Sequence, residues 1–328
     1  MKAIVYTEYG SSDVLQLTEV GKPTPKDNEV LVKVYAASVN PLDWHFMRGT
    51  PYLVRLNAGL RRPKSHVLGV DVAGKVEAVG KDVKEFQPGD DVFGACNGAF
   101  AEYVCASERS LVKKPAKVSF EQAAAVPIAS FTAVQGLRNQ GQIQPGQKVL
   151  INGAAGGVGT FAVQIAKSFG AEVTGVCSTR NVDMVRSIGA DHVIDYTQED
   201  FTQSGQRYDQ IFDTVGNRSL SDCRRALGQS GTLVLVGGPD KGRLLGPMNR
   251  SLRGLVMSRF VSQRMVMLMA AWSKDDLVLM QELLSNGKVT PVIDRRYTLS
   301  EVPEAIRYLE EGHAQGKVVI TLEHNNED

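Results

Sequence analysis

The chain has 328 residues, enough for two domains of ordinary size, each with its own core. Hydrophobic residues make up 43%, and 37 Lys and Arg against 36 Asp and Glu leave a formal net charge of +1, which argues against nucleic-acid binding through a global basic field. Cys96, Cys105, Cys177 and Cys223 are widely spaced without a C-x-x-C, no segment holds the roughly 20 uncharged apolar residues of a membrane span, and the opening MKAIVYTEYG has no signal-peptide apolar run. The expectation is a soluble protein of a reducing compartment, the cytoplasm.

In chain order, residues 2 to 6 and 29 to 36 read as strands, the second alternating apolar and polar positions, with a turn-rich stretch from Gly21 to Asn28 between them. Val67 to Val79 carries glycines among β-branched residues, and Gln87-Pro88-Gly89-Asp90 opens a strand at Val92-Phe93. Short strands and frequent turns predict a mainly β unit to about residue 120. Ser119 to Leu137 then reads as helical, with Ser119 as N-cap and Gln122 three residues on.

Val149 to Arg180 reads as strand, glycine-rich turn, helix and second strand. Val149-Leu150-Ile151 precedes Ala154-Ala155-Gly156-Gly157-Val158-Gly159, an A-x-G-x-x-G, and Thr160 to Phe169 has helical spacing. A dinucleotide pyrophosphate needs backbone N–H groups at a helix N-terminus, and glycines where a side chain would block the phosphates or hold helix and strand apart. The second strand ends Cys177-Ser178-Thr179-Arg180, with no carboxylate for a ribose 2′-OH. Ser178 can donate a hydrogen bond and Arg180 can form charge-assisted bonds to a 2′-phosphate, so NADP(H) is favoured over NAD(H).

Val193-Ile194, Gln210 to Thr214 and Thr232 to Val236 read as further strands of an open parallel sheet, the last as an edge able to pair across a dimer. Residues 249 to 272 form a predicted helix rich in Met, with arginines at 250, 253, 259 and 264. Such a segment can close a cleft through Leu and Met, contact another copy, or lie on a membrane surface. The tail predicts a helix ending near Gly287, a strand at Val289 to Ile293, a helix at Val302 to Glu311 and a strand at Lys317 to Leu322, returning to the first unit.

Ala36 to Asp43 (AASVNPLD), Leu68 to Gly74 (LGVDVAG), Gln87 to Gly94 (QPGDDVFG), AAGGVG, Gly189 to Tyr196 (GADHVIDY), Asp213 to Gly216 (DTVG) and Gly316 to Ile320 (GKVVI) occur in one order along the whole chain. With them the chain resembles the medium-chain dehydrogenase/reductase superfamily, in particular its zinc-independent quinone oxidoreductase, zeta-crystallin-like branch. The resemblance implies an α/β protein: a Rossmann doubly wound parallel sheet plus a GroES-like mainly β catalytic domain. The expected division is residues 1–122 catalytic, 123–264 NADP-binding and 265–328 a return segment completing the catalytic domain.

Zinc-dependent relatives place ligands at positions matching Val39-Asn40, Val70-Asp71 and the vicinity of Ile128. Asp71 alone cannot make a tetrahedral site of about three ligands, and His45, His66, His192, His313 and His324 show no H-x-x-x-H, so no metal ligand is assigned and zinc-dependent alcohol oxidation is disfavoured. The resemblance implies hydride transfer from NADPH to a quinone or to the C=C of an α,β-unsaturated carbonyl. Asn40 is a candidate donor to a substrate oxygen or an Asx-turn residue before Pro41, Asp43 a scaffold partner, and Tyr52 a candidate proton donor or wall. For the cofactor, the resemblance implies Gly156, Gly157 and Val158 at the pyrophosphate, Ser178, Arg180 and Tyr196 at the adenosine phosphate end, and Val215, Gly237 and Gly238 in later turns. Thr132, Phe260, Val261, Ser262 and Lys317 are candidates nearer the nicotinamide. The rival reading is an NADPH-binding structural or membrane-surface protein with little turnover.

Overall fold

The computed structural model describes residues 1–238, 246 and 248–323. The first strands are β1 (Lys2–Val5), β2 (Gln16–Glu19) and the 11-residue β3 (Glu29–Val39), followed by two short helices, α1 (Pro41–Arg48) and α2 (Val54–Ala58). Then come β4 (Asp71–Val79), β5 (Asp91–Ala95), β6 (Tyr103–Ser107) and β7 (Leu111–Lys113). Strand β2 went unread because QLTE is exposed throughout and carries no apolar alternation.

The predicted helix over Ser119 to Leu137 is three pieces: α3 (Phe120–Ala124), α4 (Pro127–Val134) and a π-helical turn over Gln135–Gln140. Pro127 cannot donate the backbone bond that would continue α3. The Ser119 cap forms as read, its Oγ accepting from Gln122 N at 3.1 Å while Gln122 Oε1 accepts from Ser119 N at 3.0 Å.

Next are β8 (Lys148–Asn152), α5 (Gly157–Ser168), β9 (Glu172–Cys177), α6 (Val182–Ser187), β10 (His192–Asp195), β11 (Tyr208–Asp213), α7 (Leu220–Arg225) and β12 (Leu227–Leu235). Residues 249–272, expected as one helix, divide into α8 (Met248–Met257) and a strand, β13 (Arg264–Met267). Met and Leu have no strong β preference, so only the open side of β12 selects a strand here, with Leu233 opposite Met265. The sheet runs β10-β9-β8-β11-β12-β13, all parallel, which makes β13 the edge and places the expected edge, Thr232 to Val236, one strand inside. Val149, Leu150 and Ile151 of β8 are fully buried, the continuous apolar run of a strand covered on both faces.

The chain ends with α9 (Lys274–Ser285), β14 (Ile293–Thr298), α10 (Val302–Glu310) and β15 (Lys317–Thr321). The strand expected at Val289 to Ile293 starts where that expectation stops, because Thr290 instead exchanges backbone bonds with the Gln164 amide. Strand β15 pairs antiparallel with β3, in a sheet ordered β14-β15-β3-β4-β5-β7, with β6 on the other half of β3.

Two compact units result. One comprises Met1–Ala129, Trp272–Gly287 and Pro291–Asp328, the other Ser130–Ala271 and Lys288–Thr290, so the changeovers fall at 129 and 271 rather than the expected 122 and 264. The first unit has a core built on Ile4, Val32, Val72, Phe100, Ile306 and Ile320, the second on Leu150, Ile211, Leu227, Leu233 and Met265. Among the described residues no helix is long and apolar enough to cross a membrane.

Candidate functional site

In the first unit, sheet register gathers a buried polar cluster. Ser38 of β3 lies opposite Asp71 of β4, and Val39 lies opposite Val318 of β15, so Asn40, Asp71 and Lys317 converge at one end of three adjacent strands. Asp71, fully buried, accepts at Oδ2 from Ser38 Oγ (2.6 Å) and Asn40 Nδ2 (2.8 Å), and at Oδ1 from Ile128 N (2.9 Å). The Lys317 ammonium, 3% exposed, donates to Asn40 Oδ1 at 2.6 Å and Val39 O at 3.4 Å, and stands 3.5 Å from Asp71 Oδ2. Burial lowers the Lys317 pKa, and the Asp71 carboxylate opposes that shift.

Asp43, also fully buried, accepts from Asn40 N at 2.8 Å and Gly69 N at 3.1 Å, which fixes the entry to α1 and matches its expected scaffold role. Burial pushes its carboxyl up to about 7, against the pull of the two backbone donors. The Cys96 thiol is raised above its ordinary range by burial and by Asp71 and Asp43.

This geometry revises two expectations. The Asn40 amide is committed inside the protein, with its donors on Asp71 and Ser38 O and its acceptor on Lys317, so it is not presented to a substrate oxygen. Lys317, expected as a cofactor contact, has its ammonium enclosed in the same cluster. Tyr52 stands outside it: the ring is exposed in the loop before α2, with the Arg55 guanidinium 4.9 Å from its centroid.

The three zinc-ligand positions named above do converge, but on Asp71, around which stand an amide, a hydroxyl, a backbone N–H and an ammonium. That donor set does not fit zinc, and among the described residues no three His, Cys, Asp or Glu side chains are grouped to hold a metal. His324 lies outside the described residues.

In the second unit, β8 delivers the chain into the glycine turn. Gly153 has φ +88°, a left-handed conformation glycine adopts without strain, and Gly156 is extended at the N-terminus of α5. A Cβ on Gly159 would stand 2.0 Å from the Gly153 carbonyl oxygen, so helix and turn can approach only through glycine there. A Cβ on Gly156 would meet only that same oxygen, at 3.5 Å. The space over Gly156 is therefore open, and the first-turn N–H groups of Gly157 and Val158 have no acceptor within the helix. Together these fit a pyrophosphate.

At the end of β9, Ser178 is half-buried and Arg180 exposed. The Asn181 amide donates to Ser178 Oγ at 3.2 Å, leaving its buried Oδ1 unpartnered. Tyr196 is exposed at the end of the neighbouring β10, its N–H donating to Cys177 O at 3.0 Å, so the strand pairing brings Ser178, Arg180 and Tyr196 to one edge. Val215 is exposed in the turn after β11, and its Cγ2 and Thr214 Oγ1 would stand 2.7 and 2.3 Å from a Cβ on Gly153, so this turn packs on the start of the glycine turn. Gly237 faces Thr214 O, 2.1 Å from where a Cβ would sit, so its lack of a side chain serves that packing. Gly238 follows it at the same edge. Thr132 is buried in α4. Phe260 is 83% exposed and Ser262 exposed, whereas Val261 packs partly against the core of this unit.

The chemistry-bearing residues missed from sequence are partners rather than motifs. Ser38 and the Lys317–Asp71 pair depend on strand register across 246 positions, and the ion pair between Arg250 and Asp213 joins α8 to β11. Only the single acid in LGVDVAG and the single base in GKVVI offered a signal.

Comparison with known proteins places these features. Residues 26–116 match the alcohol dehydrogenase GroES-like domain, and residues 188–320 match the zinc-binding dehydrogenase family. A chloroplast envelope quinone oxidoreductase homolog of Arabidopsis thaliana is 34% identical over 98% of both chains. An NADPH-dependent alkenal/one oxidoreductase of the same plant's chloroplast is 34% identical over 98% of this chain and 79% of its own. The solved quinone oxidoreductase from Coxiella burnetii is 33% identical with a TM-score of 0.87, covering 98% of this chain and 99% of that one.

Proposed function

The chain belongs to the medium-chain dehydrogenase/reductase superfamily, in its quinone oxidoreductase branch, and on that premise we propose that it is an NADPH-dependent reductase of quinones or of the C=C of α,β-unsaturated carbonyls. The observation that carries the reading is the second unit's strand edge: an open glycine turn at the N-terminus of α5 beside an acid-free end of β9 bearing Ser178 and Arg180. When bound, the reduced nicotinamide supplies the hydride.

The residues hold and orient. Gly157 and Val158 N–H groups bind the pyrophosphate, Gly156 leaves room for it, and Ser178 and Arg180 bind the 2′-phosphate, with Tyr196 beside them. Val215, Gly237 and Gly238 bound the site along the sheet edge, and Thr132, Phe260 and Ser262 are assigned to its nicotinamide end. Tyr52 is proposed as wall or proton donor for the acceptor. Asn40 becomes a positioning residue, together with Lys317 holding Asp71 and the 38–43 turn. No step is routed through a metal. Quinones and enones accept a hydride by their own conjugation, so positioning dominates catalysis.

A homodimer joined at the exposed edge of β13 is supported by α8, which buries Ser251 and Gly254 and turns Leu252, Leu255 and Val256 outward. Four cysteines free of disulfides support a reducing compartment such as the cytoplasm. The membrane-surface reading rests on Arg253 and Arg259 beside that same face.

The test is turnover: loss of reduced-nicotinamide absorbance with a panel of quinones and enones, before and after exhaustive chelation, beside NADPH titration followed by fluorescence. Activity that survives chelation is expected. Tight NADPH binding without turnover across the panel would favour the structural protein instead.

A further inference from the structure

Asp213 ends β11 directly opposite Asn152, the last residue of β8, so its carboxylate lies under the edge assigned to the cofactor. It is fully buried. Its Oδ1 accepts from Asn152 Nδ2 at 2.8 Å, from Val215 N at 3.2 Å and from Gly216 N at 2.9 Å, which folds the chain back at Gly216, where φ is +70°. Thr214 Oγ1 completes the tie by donating to Asn152 O at 2.7 Å.

A buried carboxylate beneath a site for a phosphorylated dinucleotide opposes the ligand unless it is neutralised. The neutralising group comes from α8. Arg250 Nη2 stands 2.8 Å from Asp213 Oδ2, with only 12% of its side chain exposed. The same nitrogen donates to Arg218 O at 3.1 Å and weakly to Cys223 Sγ at 3.7 Å, while Nη1 is buried with no hydrogen-bond partner. A guanidinium left so poorly hydrogen-bonded is explained by charge rather than by donor geometry.

We propose that Arg250 is a positioning residue for NADPH: by cancelling the charge of Asp213, it lets that carboxylate hold the 214–216 turn at the glycine turn without repelling the cofactor's phosphates. The inference rests on the NADPH reading above and adds a residue that no nucleotide motif contains. It makes a specific demand. Removing the cation alone should harm cofactor binding, and removing both charges should restore it.

The experiment titrates NADPH by fluorescence into wild type, Arg250→Met, Arg250→Lys, Asp213→Asn and Asp213→Asn/Arg250→Met, with melting curves and Michaelis constants for NADPH and acceptor. Arg250→Met should raise the NADPH Kd about tenfold or more and leave the acceptor KM unchanged, Arg250→Lys should recover part of the loss, and the double variant should return to within about threefold of wild type. Wild-type NADPH affinity in Arg250→Met, or a folded double variant no better than the single, would overturn the proposal. A lowered melting temperature with unchanged Kd would assign Arg250 to stability alone and overturn it too. Should Arg250→Met not fold, the double variant decides by the same threefold criterion. Failure of the wild type itself to bind NADPH would remove the functional reading along with this one, whereas normal wild-type binding with indifferent variants removes only this one.

Discussion

Replacing Lys317 by Met removes the one cation among the described residues in contact with the Asp71 carboxylate and keeps most of the side-chain volume. Asp71 is fully buried and retains Ser38 Oγ, Asn40 Nδ2 and Ile128 N as donors, but Asn40 Oδ1 loses its 2.6 Å partner. Breaking a buried pair by deleting one partner destabilises by about 3–5 kcal/mol, because the remaining charge is uncompensated. In Asp71→Asn/Lys317→Met neither charge of the pair remains, and the loss should shrink to about 1–2 kcal/mol, the scale of the imperfectly satisfied amides. The assay is equilibrium urea unfolding followed by tryptophan fluorescence. Both tryptophans, Trp44 and Trp272, lie in the first unit, so the signal isolates the unit that contains the pair. An unchanged midpoint in Lys317→Met would refute the reasoning. So would a double variant as unstable as the single.

Arg180→Ala should weaken NADPH by roughly 1.5–3 kcal/mol, the range for hydrogen bonds to charged groups, and leave NADH nearly unchanged; equal losses in a fluorescence titration would reject the 2′-phosphate assignment. Gly156→Ala should fold with a normal melting temperature and lose NADPH affinity, whereas Gly159→Ala should melt lower, since its Cβ would press on the Gly153 carbonyl at 2.0 Å; identical behaviour of the two would contradict the division of labour. Asp43 has a folded pKa near 7, above its ordinary 3.8. Its stabilising contribution is therefore complete below about pH 4 and is lost as pH rises through 7, by on the order of 4 kcal/mol. The stability difference between wild type and Asp43→Asn should accordingly drift against the wild type from pH 4 to 8, and a pH-independent difference in urea unfolding would show that Asp43 stays ionised.

What could be read from sequence followed from local periodicity. The run Val149-Leu150-Ile151 with its glycines, and the Ser119 cap with Gln122, each declare themselves within a few residues, and the structure holds them as read. The strand at 264–267 did not, since RMVM becomes a strand only by pairing with β12. Asn40 shows the same limit at the site. Its sequence neighbours suggested a turn or a donor, but its amide is claimed by Lys317, 277 positions away, and by Asp71, 31 positions away. Met265 likewise belongs to the Met-rich segment read as able to close a cleft, and lies instead in the core of the second unit. Chemistry made by long-range register is illegible until the strands are placed.

The position of β15 bears on how the protein is made. Residues 317–321 sit inside the first unit's sheet, between β14 and β3, so on the ribosome the edge of β3 at Ala36–Val39 stays unpaired until Thr321 has emerged, about 280 positions later. The second unit is nearly contiguous, from Ser130 to Ala271, and can close well before then. During synthesis the open β3 edge is a template for wrong pairing, and a nascent chain stalled or truncated before Lys317 would carry a finished nucleotide-binding unit beside an unfinished sheet.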